Sequence, residues 1–171
     1  MTDSGEMIRV LDTEDAGAFR LLRLEGLRDS PTAFAASVDD EVHRSDFARL
    51  LQPTDASWVL AAFAGPDAPV GCIGWYRDRG AKVSHKSRLW GTYVTPDQRR
   101  RGIGRALLNE AVARARLVPG LSQIGLFVAS ENEAAARLYR TAGFERVAVH
   151  PKSLFVDGRY IDEEFHVLWL R

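Results

Sequence analysis

Near the middle of the chain stands the stretch Gln98-Arg99-Arg100-Arg101-Gly102-Ile103-Gly104-Arg105-Ala106-Leu107-Leu108. This stretch is typical of the start of a long helix, and four arginines crowd its N-terminal end. Such an end carries roughly +0.5 elementary charge and about four backbone N–H groups without helical partners, so arginine is unfavourable there unless an anion is bound. Glycines at 102 and 104 leave the backbone open to a ligand, and the stretch therefore indicates a pyrophosphate site.

Three other interpretations of this stretch fit the residues less well. The arginines could form a solvated surface run beside a plain turn, but the apolar strand before them, the glycine pair and the amphipathic helix together disfavour this. A Walker loop requires a Lys directly after its second glycine, and a dinucleotide loop requires a third glycine where Leu107 stands. Nucleotide recognition is therefore less favoured than another phosphate-bearing ligand.

The composition limits the class of protein. A length of 171 residues suits a single domain spanning 1–171, and the balance of 23 basic against 23 acidic side chains gives no overall field for nucleic acid or membrane. The single Cys72 excludes an internal disulfide, and no motif of metal-ligand spacing occurs, so no metal is predicted. The acidic N-terminus at 1–6 and the short apolar run at 58–64 favour a cytoplasmic protein.

The patterns before the arginine stretch predict an ordered series of elements. A first strand precedes a helix that Asp12 or Thr13 caps and Pro31 ends, and a helical region then runs from Ser45 to Pro53. Three strands of an antiparallel meander follow. The predicted strands are 8–11, 58–64, 70–76 and 87–94, with a turn-rich piece at 29–34 and a loop at 65–69.

The patterns after the arginine stretch predict a parallel strand, a helix and two closing strands. The helix that opens at Gly102 ends before 119–120, and the apolar run 124–128 is expected to lie parallel to the strand before the helix. Residues Ser130 and Glu133 predict a capping box for the next helix, which ends at Gly143. The closing strands are predicted at 147–149 and 165–170, linked by 152–160 with a turn at 157–158.

Two motifs resemble those of one superfamily. Arg99-Arg100-Arg101-Gly102-Ile103-Gly104 matches the acyl-CoA signature Arg/Gln-x-x-Gly-x-Gly/Ala of the GCN5-related N-acetyltransferases, the GNAT superfamily. A second superfamily pattern, Asn-x-x-Ala-x-x-Leu-Tyr-x-x-x-Gly-Phe, is matched at full spacing by Asn132, Ala135, Leu138, Tyr139, Gly143 and Phe144. The specific resemblance covers about residues 87–145.

The resemblance implies a fold and a co-substrate. The fold is α/β with a mixed, mostly antiparallel sheet, splayed between strands 4 and 5 and flanked by helices, with acetyl-CoA in the gap. The backbone of Thr92, Tyr93 and Val94 would pair with the pantetheine arm, and an amide near Val94 would polarise the thioester carbonyl. The loop assigned to the pyrophosphate comprises Arg99, Arg100, Arg101, Gly102, Ile103, Gly104 and Arg105.

Roles in the second motif follow from the same resemblance. Asn132 and Ala135 are expected at the pantetheine, and Tyr139 is expected to contact the cofactor and act as general acid toward the departing CoA thiolate. A phenol with a pKa of about 10 can donate a proton to a thiolate whose conjugate acid has a pKa near 8.5. The alternatives are that Asn132 only starts the helix and that Tyr139 only packs in the core.

The general base and the acceptor site are less defined by the sequence. Many relatives carry a Glu on the strand before the glycine loop, but 87–93 contains no carboxylate, which leaves Glu41, His85, Glu164 or a water chain as candidates. The acceptor site is expected from the first two helices and the connection between the last strands. Trp75, Tyr76, Trp90 and Tyr93 could form its walls, although such aromatic residues are commonly core.

The function predicted from these features is acetyl-CoA-dependent acetylation of a primary amine, on a small molecule or on a peptide or protein. Direct attack is expected because Cys72 has no adjacent His to activate it. The alternative is a non-catalytic acyl-CoA sensor. A homodimer could form through an exposed closing strand at 165–170.

Overall fold

A seven-stranded sheet organises the fold, with strand order β1-β2-β3-β4-β5-β7-β6. The protein is seen here in a computed structural model that describes residues 7–65 and 68–170, so the predictions made for 1–6 and for part of the loop 65–69 lie outside the described residues. The strands are β1 (Met7–Val10), β2 (Ser57–Phe63), β3 (Pro69–Arg77), β4 (Lys86–Val94), β5 (Gln123–Ala129), β6 (Glu145–Val156) and β7 (Arg159–Trp169).

Helices cover both faces of the sheet. They are α1 (Ala16–Asp29), α2 (Val38–Val42), α3 (Phe47–Leu50), α4 (Ile103–Arg116) and α5 (Glu133–Thr141). Asp12 begins the first helical segment as predicted, because its side chain accepts a hydrogen bond from the Glu14 amide. None of the described helices is long and apolar enough to cross a membrane.

The sheet is mixed and splits in its middle. Strands β1 to β4 pair antiparallel in sequence order, and β5, β7 and β6 form a second antiparallel set. The two sets meet only where β4 pairs parallel with β5, over three residue pairs that end at Arg88 and Gly125. The predicted fold class is therefore confirmed, including the splay between the fourth and fifth strands.

A bulge in β4 lies directly beyond the last of these pairs. The register with β3 shifts, because one residue separates Cys72 from Gly74 while two residues separate their partners Tyr93 and Trp90. Gly91 within the longer span has φ 63°, a left-handed conformation that costs glycine little. A bulge of this kind bends its strand, and this one lies just beyond the point where β4 stops pairing with β5.

The two faces of the sheet bury two separate hydrophobic clusters. Trp58, Leu60 and Ala62 of β2 lie in the cluster beneath α4 and α5, and the alternating residues Val59, Ala61 and Phe63 lie in the cluster with Phe19 of α1 and Phe47 of α3. One apolar face of α4 packs on the sheet as predicted, through Ile103, Leu107, Leu108, Ala111 and Ala115.

Several sequence predictions for the second half are corrected. The capping box at 130–133 is wrong, because Asn132 is the N-cap of α5 and its side chain accepts from the Ala135 amide. The closing strands are much longer than predicted, and most of the predicted connection 152–160 is strand; only its turn at 157–158 is confirmed. Residues 165–170 do not form an exposed edge either, since β7 lies between β5 and β6.

Gly74 of β3 provides a test of how closely β3 packs against Trp90 of β4. A Cβ atom at Gly74 would lie 2.1 Å from the Trp90 indole, whereas one at Gly17 of α1 would meet nothing within 4 Å. We expect Gly74→Ala to lower the free energy of unfolding by about 1–3 kcal/mol through overpacking. The matched control Gly17→Ala should leave stability unchanged or raise it by up to about 1 kcal/mol. Urea denaturation measures both, and equal stability of the two variants would contradict the expectation.

Candidate functional site

The gap between β4 and β5 contains a small cavity of about 60 Å³. Both diverging strands and the start of α5 contribute to it, so residues distant in sequence meet there. Its walls include Trp90, Gly91 and Thr92 of β4, Leu126 to Ala129 of β5, and Asn132, Ala135 and Tyr139 of α5. Of the predicted site residues, the structure brings together Thr92, Asn132, Ala135 and Tyr139 at this cavity.

Tyr139 combines core packing with a position on the cavity wall. Its ring lies 5.9 Å from that of Phe144, and only 6% of the residue is exposed. Burial raises the pKa of the Tyr139 phenol, and a hydrogen bond with the Thr92 side chain partly opposes this rise. The phenol therefore stays protonated at neutral pH and can donate a proton into the gap.

Asn132 and Ala135 are joined by a helix cap. The Oδ1 of Asn132 accepts a hydrogen bond of 3.1 Å from the Ala135 amide, so the helix-starting role considered from the sequence is present. The side chain of Asn132 also lines the cavity. An asparagine that caps through its oxygen keeps an NH₂ group with two donors.

The N-terminus of α4 has no side-chain cap. Gly102 is the N-cap at φ 93°, and its carbonyl accepts from the Ala106 amide at 2.9 Å, as in the first turn of a helix. Arg100 also has positive φ, 62°, which is uncommon outside glycine. Because the first N–H groups of a helix lack helical partners, this end can bind an anion.

The arginines around this helix start differ in what they contact. Arg100, Arg101 and Arg105 are exposed, and Arg101 donates from Nη1 to Gln98 at 2.7 Å. The exposed side chains add positive charge around the open amides of α4.

Arg99 is also exposed, but its guanidinium is engaged by neighbouring residues. Its Nε donates to the Val94 carbonyl at 2.9 Å, its Nη2 pairs with Asp29 of α1, and its guanidinium lies 5.5 Å from the centre of the Tyr93 ring. The Tyr93 hydroxyl in turn donates to Glu25 of α1 at 3.1 Å. The side chains of Arg99 and Tyr93 thus tie β4 and the glycine loop to α1, a role that the sequence motif did not reveal.

A second, larger cavity of about 730 Å³ adjoins the gap. Phe34, Leu89, Trp90, Gly91, Leu126 and Phe127 line both cavities, so the two share a wall. Charged side chains from five parts of the chain complete the larger cavity. They are Arg23 of α1, Glu41 of α2, Arg44 after α2, Asp78 after β3, Arg88 of β4 and Glu163 of β7.

A buried ion pair fixes one side of this larger cavity. Arg23 Nη2 donates to Glu41 Oε1 at 2.8 Å, and the two side chains are 7% and 4% exposed. Arg44 Nε lies 3.1 Å from the other carboxylate oxygen of Glu41. The Arg23 guanidinium also faces the rings of Phe34 and Trp90, at 5.4 and 5.6 Å. This pair holds α1 and α2 against the bulged part of β4.

The candidate bases from the sequence are placed very differently. Glu41 lies in the cavity wall, but both of its oxygens face guanidinium groups. His85 is exposed before the start of β4, at the opposite end of that strand from the gap. Glu164 is bound to Arg146 and to the buried His166, and hydrogen bonding to His166 lowers its pKa.

Sequence reasoning missed four charged residues of this wall, namely Arg44, Asp78, Arg88 and Glu163. Glu163 could have been found from strand alternation. In β7, which begins at Arg159, Glu163 lies two positions before Phe165 and therefore on the same face of the strand. Asp78 follows the end of β3, where no pattern marks it. A carboxylate on this wall can accept a proton from an ammonium group.

Two other kinds of chemistry find little support in the described residues. Cys72 is buried and burial raises the pKa of its thiol to about 12, so a reactive thiolate is disfavoured. Its Sγ donates to the Gly91 carbonyl at 3.4 Å. Within residues 7–65 and 68–170, no three His, Cys, Asp or Glu side chains are arranged to hold a metal ion.

Most of the chain is similar to a known protein family. Residues 22–144 match the model described as the acetyltransferase (GNAT) family. A spermidine N(1)-acetyltransferase of Vibrio cholerae is 30% identical over 100 residues, which are 58% of this chain and 58% of that protein. The match thus spans little more than half the length of that relative.

Solved structures share the fold across nearly the whole chain. An acetyltransferase of the GNAT family from Streptococcus pneumoniae superposes with a TM-score of 0.79 at 22% identity, covering 96% of this chain and 99% of its own. The protein yncA of Salmonella typhimurium, solved with its cofactor acetyl-CoA, gives a TM-score of 0.77 at 23% identity and covers 97% and 94%. Because both sequence identities are below 25%, these superpositions show a shared fold and nothing further.

The Arg23–Glu41 pair should be essential to stability. Glu41→Gln leaves the Arg23 guanidinium buried without its counter-charge, so we expect the free energy of unfolding to fall by about 3–5 kcal/mol. The matched control is Glu110→Gln on α4, whose ion pair with Arg114 is 40–43% exposed; we expect it to cost less than about 0.5 kcal/mol. Urea denaturation followed by circular dichroism compares them, and a similar small loss for both would show that the buried pair is dispensable.

Proposed function

The chain belongs to the acetyltransferase (GNAT) family, and we propose that it transfers an acetyl group from acetyl-CoA to a primary amine by direct attack on the thioester. The observation that carries this proposal is the arrangement of three features around the gap. They are the protonated phenol of Tyr139 in its wall, the uncapped start of α4 close to Val94 at the end of β4, and the charged cavity that adjoins the gap. We further propose one such domain over residues 1–171, acting in the cytoplasm.

The diverging strands suit the donor. Beyond Arg88 the β4 backbone has no β5 partner, so Thr92, Tyr93 and Val94 can pair with the pantetheine arm as an added strand would. The pyrophosphate would bind the open amides of Gly102, Ile103, Gly104 and Arg105, with Arg100 and Arg101 alongside. Arg99 would act by holding this loop in place, because its guanidinium is engaged by Val94 and Asp29.

The chemistry requires two proton movements. The amine nitrogen forms a bond to the acetyl carbon, the carbon–sulfur bond breaks, and the departing thiolate takes the proton of the Tyr139 phenol. The amine must also lose a proton, for which the larger cavity offers carboxylates. The direct route agrees with the raised pKa of Cys72, because a buried protonated thiol is a poor nucleophile.

The alternative function is an acyl-CoA sensor without turnover. The missing carboxylate on β4 favours it, whereas a phenol at the gap and an adjoining cavity favour an enzyme. CoA thiol release from acetyl-CoA separates the two when polyamines, amino acids, aminoglycosides and peptide N-termini are tested as acceptors. Amine-dependent release establishes the transferase; calorimetric binding of acetyl-CoA with no release from any amine would favour the sensor.

Gly104 tests the donor site. A Cβ atom there would lie 3.6 Å from Leu138 Cδ2 and 3.8 Å from Val94 Cγ2, so a methyl group fits but an isopropyl group crowds the first turn of α4. We expect Gly104→Val to weaken acetyl-CoA binding by roughly tenfold or more, a loss of about 1.4 kcal/mol or more in binding free energy, because the isopropyl group would intrude on a pyrophosphate bound at the open amides. Gly104→Ala, the control, should bind nearly as the parent protein does. Calorimetry measures both, and equal affinities would place the pyrophosphate elsewhere.

Tyr139→Phe tests the general acid. Loss of the phenol removes the proton for the thiolate, and we expect kcat to fall by about a hundredfold while acetyl-CoA affinity changes little. Tyr160→Phe serves as the control, because Tyr160 is 59% exposed on β7. Steady-state kinetics with the best acceptor supplies kcat, and calorimetry supplies the affinity. An unchanged kcat in Tyr139→Phe would remove the assignment.

A further inference from the structure

Arg88 is the arginine of the larger cavity whose charge is least compensated. Its Nη1 is buried and has no hydrogen-bond partner among the described residues. The closest carboxylate, that of Asp78, lies 3.7 Å from Nε, which is beyond hydrogen-bond distance. The side chain as a whole is 28% exposed, so an anion in the cavity can reach the accessible part of the guanidinium and provide the hydrogen-bond partner that the protein does not.

The position of Arg88 is fixed by its neighbours. The guanidinium lies 4.7 Å from the centre of the Phe165 ring and 5.8 Å from that of Phe127. It reaches across β5 at Gly125, where a Cβ atom would lie 3.4 Å from Arg88 Nη1 and 2.7 Å from the Phe165 ring. Glycine at 125 therefore leaves the space that the guanidinium and the ring occupy. An arginine held in this way presents its donors in a preformed arrangement.

The other two arginines of the cavity are already paired. Arg23 and Arg44 share the carboxylate of Glu41, and Arg44 also lies 3.5 Å from Asp46. Arg88 alone of the three lacks a carboxylate within hydrogen-bond distance. It also stands at the last β4–β5 pair, two positions before Trp90, which lines both cavities. Two strand positions span about 7 Å.

We propose that Arg88 binds the carboxylate of the acceptor, and that the acceptor is a free α-amino acid whose amine points toward the gap. This inference rests on the proposed function. The cavity wall carries three arginines and three carboxylates, so its formal charge of zero matches a zwitterion. A polyamine would place its positive charges beside three guanidinium groups. The aromatic residues Tyr76, Trp90 and Phe127 leave an apolar surface for the side chain of the amino acid.

The experiment measures CoA thiol release with the twenty common L-amino acids, their α-carboxamides and spermidine. We expect at least one amino acid to exceed its carboxamide in kcat/KM by about tenfold or more, because a guanidinium–carboxylate contact is a strong, charge-assisted one. Arg88→Gln should lower kcat/KM for that amino acid by roughly ten- to a hundredfold and abolish the preference over the carboxamide. Arg88→Lys should keep part of the preference, since it keeps the charge.

Two controls separate recognition from loss of structure. Arg116→Gln removes an exposed arginine at the end of α4 and should change neither rate nor preference. Calorimetry should give the same acetyl-CoA affinity for Arg88→Gln as for the parent protein.

The outcomes distinguish this inference from the function on which it rests. The role of Arg88 would be overturned if the carboxamides or spermidine were acetylated as well as the amino acids are, or if Arg88→Gln left the preference unchanged. Either result would leave the proposed acetyltransferase activity intact. Acetyl-CoA binding with no release from any amine would overturn the proposed function and this inference with it.

Discussion

The interruption of hydrogen bonding between β4 and β5 is the constraint on which the rest of the structure depends. The two strands pair only from Lys86–Gln123 to Arg88–Gly125, and beyond that point their facing edges have no strand partner. Backbone N–H and C=O groups inside a protein must find partners, so an opened sheet is stable only if something else occupies the opening. The bulge at Gly91 lies at this opening, and residues of β4, β5 and α5 line the cavity within it.

The surrounding elements hold this opening rigidly. On one side, α1 is bound to β4 and the glycine loop by the Tyr93–Glu25 hydrogen bond and the Arg99–Asp29 pair, and α2 is bound to α1 by Arg23 and Glu41. On the other side, α5 inserts Tyr139 into the core while its N-cap lies at the cavity. Charged contacts between helices thus replace, at the gap, the strand pairing that holds the rest of the sheet.

The sequence predicted the parts of this arrangement that depend on local patterns. The meander, the glycine-led helix α4 and the parallel strand β5 follow from periodicity, turn residues and capping, and the two motifs indicated the gap. The capping box failed because Ser130 and Asn132 are both good N-caps, and packing selected Asn132. Strand β6 was underestimated because it is exposed along nearly its whole length and shows little apolar alternation. The wall with Asp78, Arg88 and Glu163 was missed because it joins three elements far apart in the chain, and no local pattern carries such a contact.

The place of β7 in the sheet affects how the molecule is made. Although it is the last strand of the described chain, β7 pairs with β5 from Gln123–Trp169 to Ala129–Glu163, and β6 reaches the sheet only through it. During synthesis, therefore, one edge of β5 has no strand partner until residues 159–169 have left the ribosome. Pairings of this kind, here between residues 34 (Ala129 and Glu163) to 46 (Gln123 and Trp169) positions apart, close late because the loop entropy must be overcome first. The nascent chain can thus assemble α4 and its glycine loop well before the wall formed by β7 exists, so co-translational folding is expected to complete the donor side first and the acceptor side last.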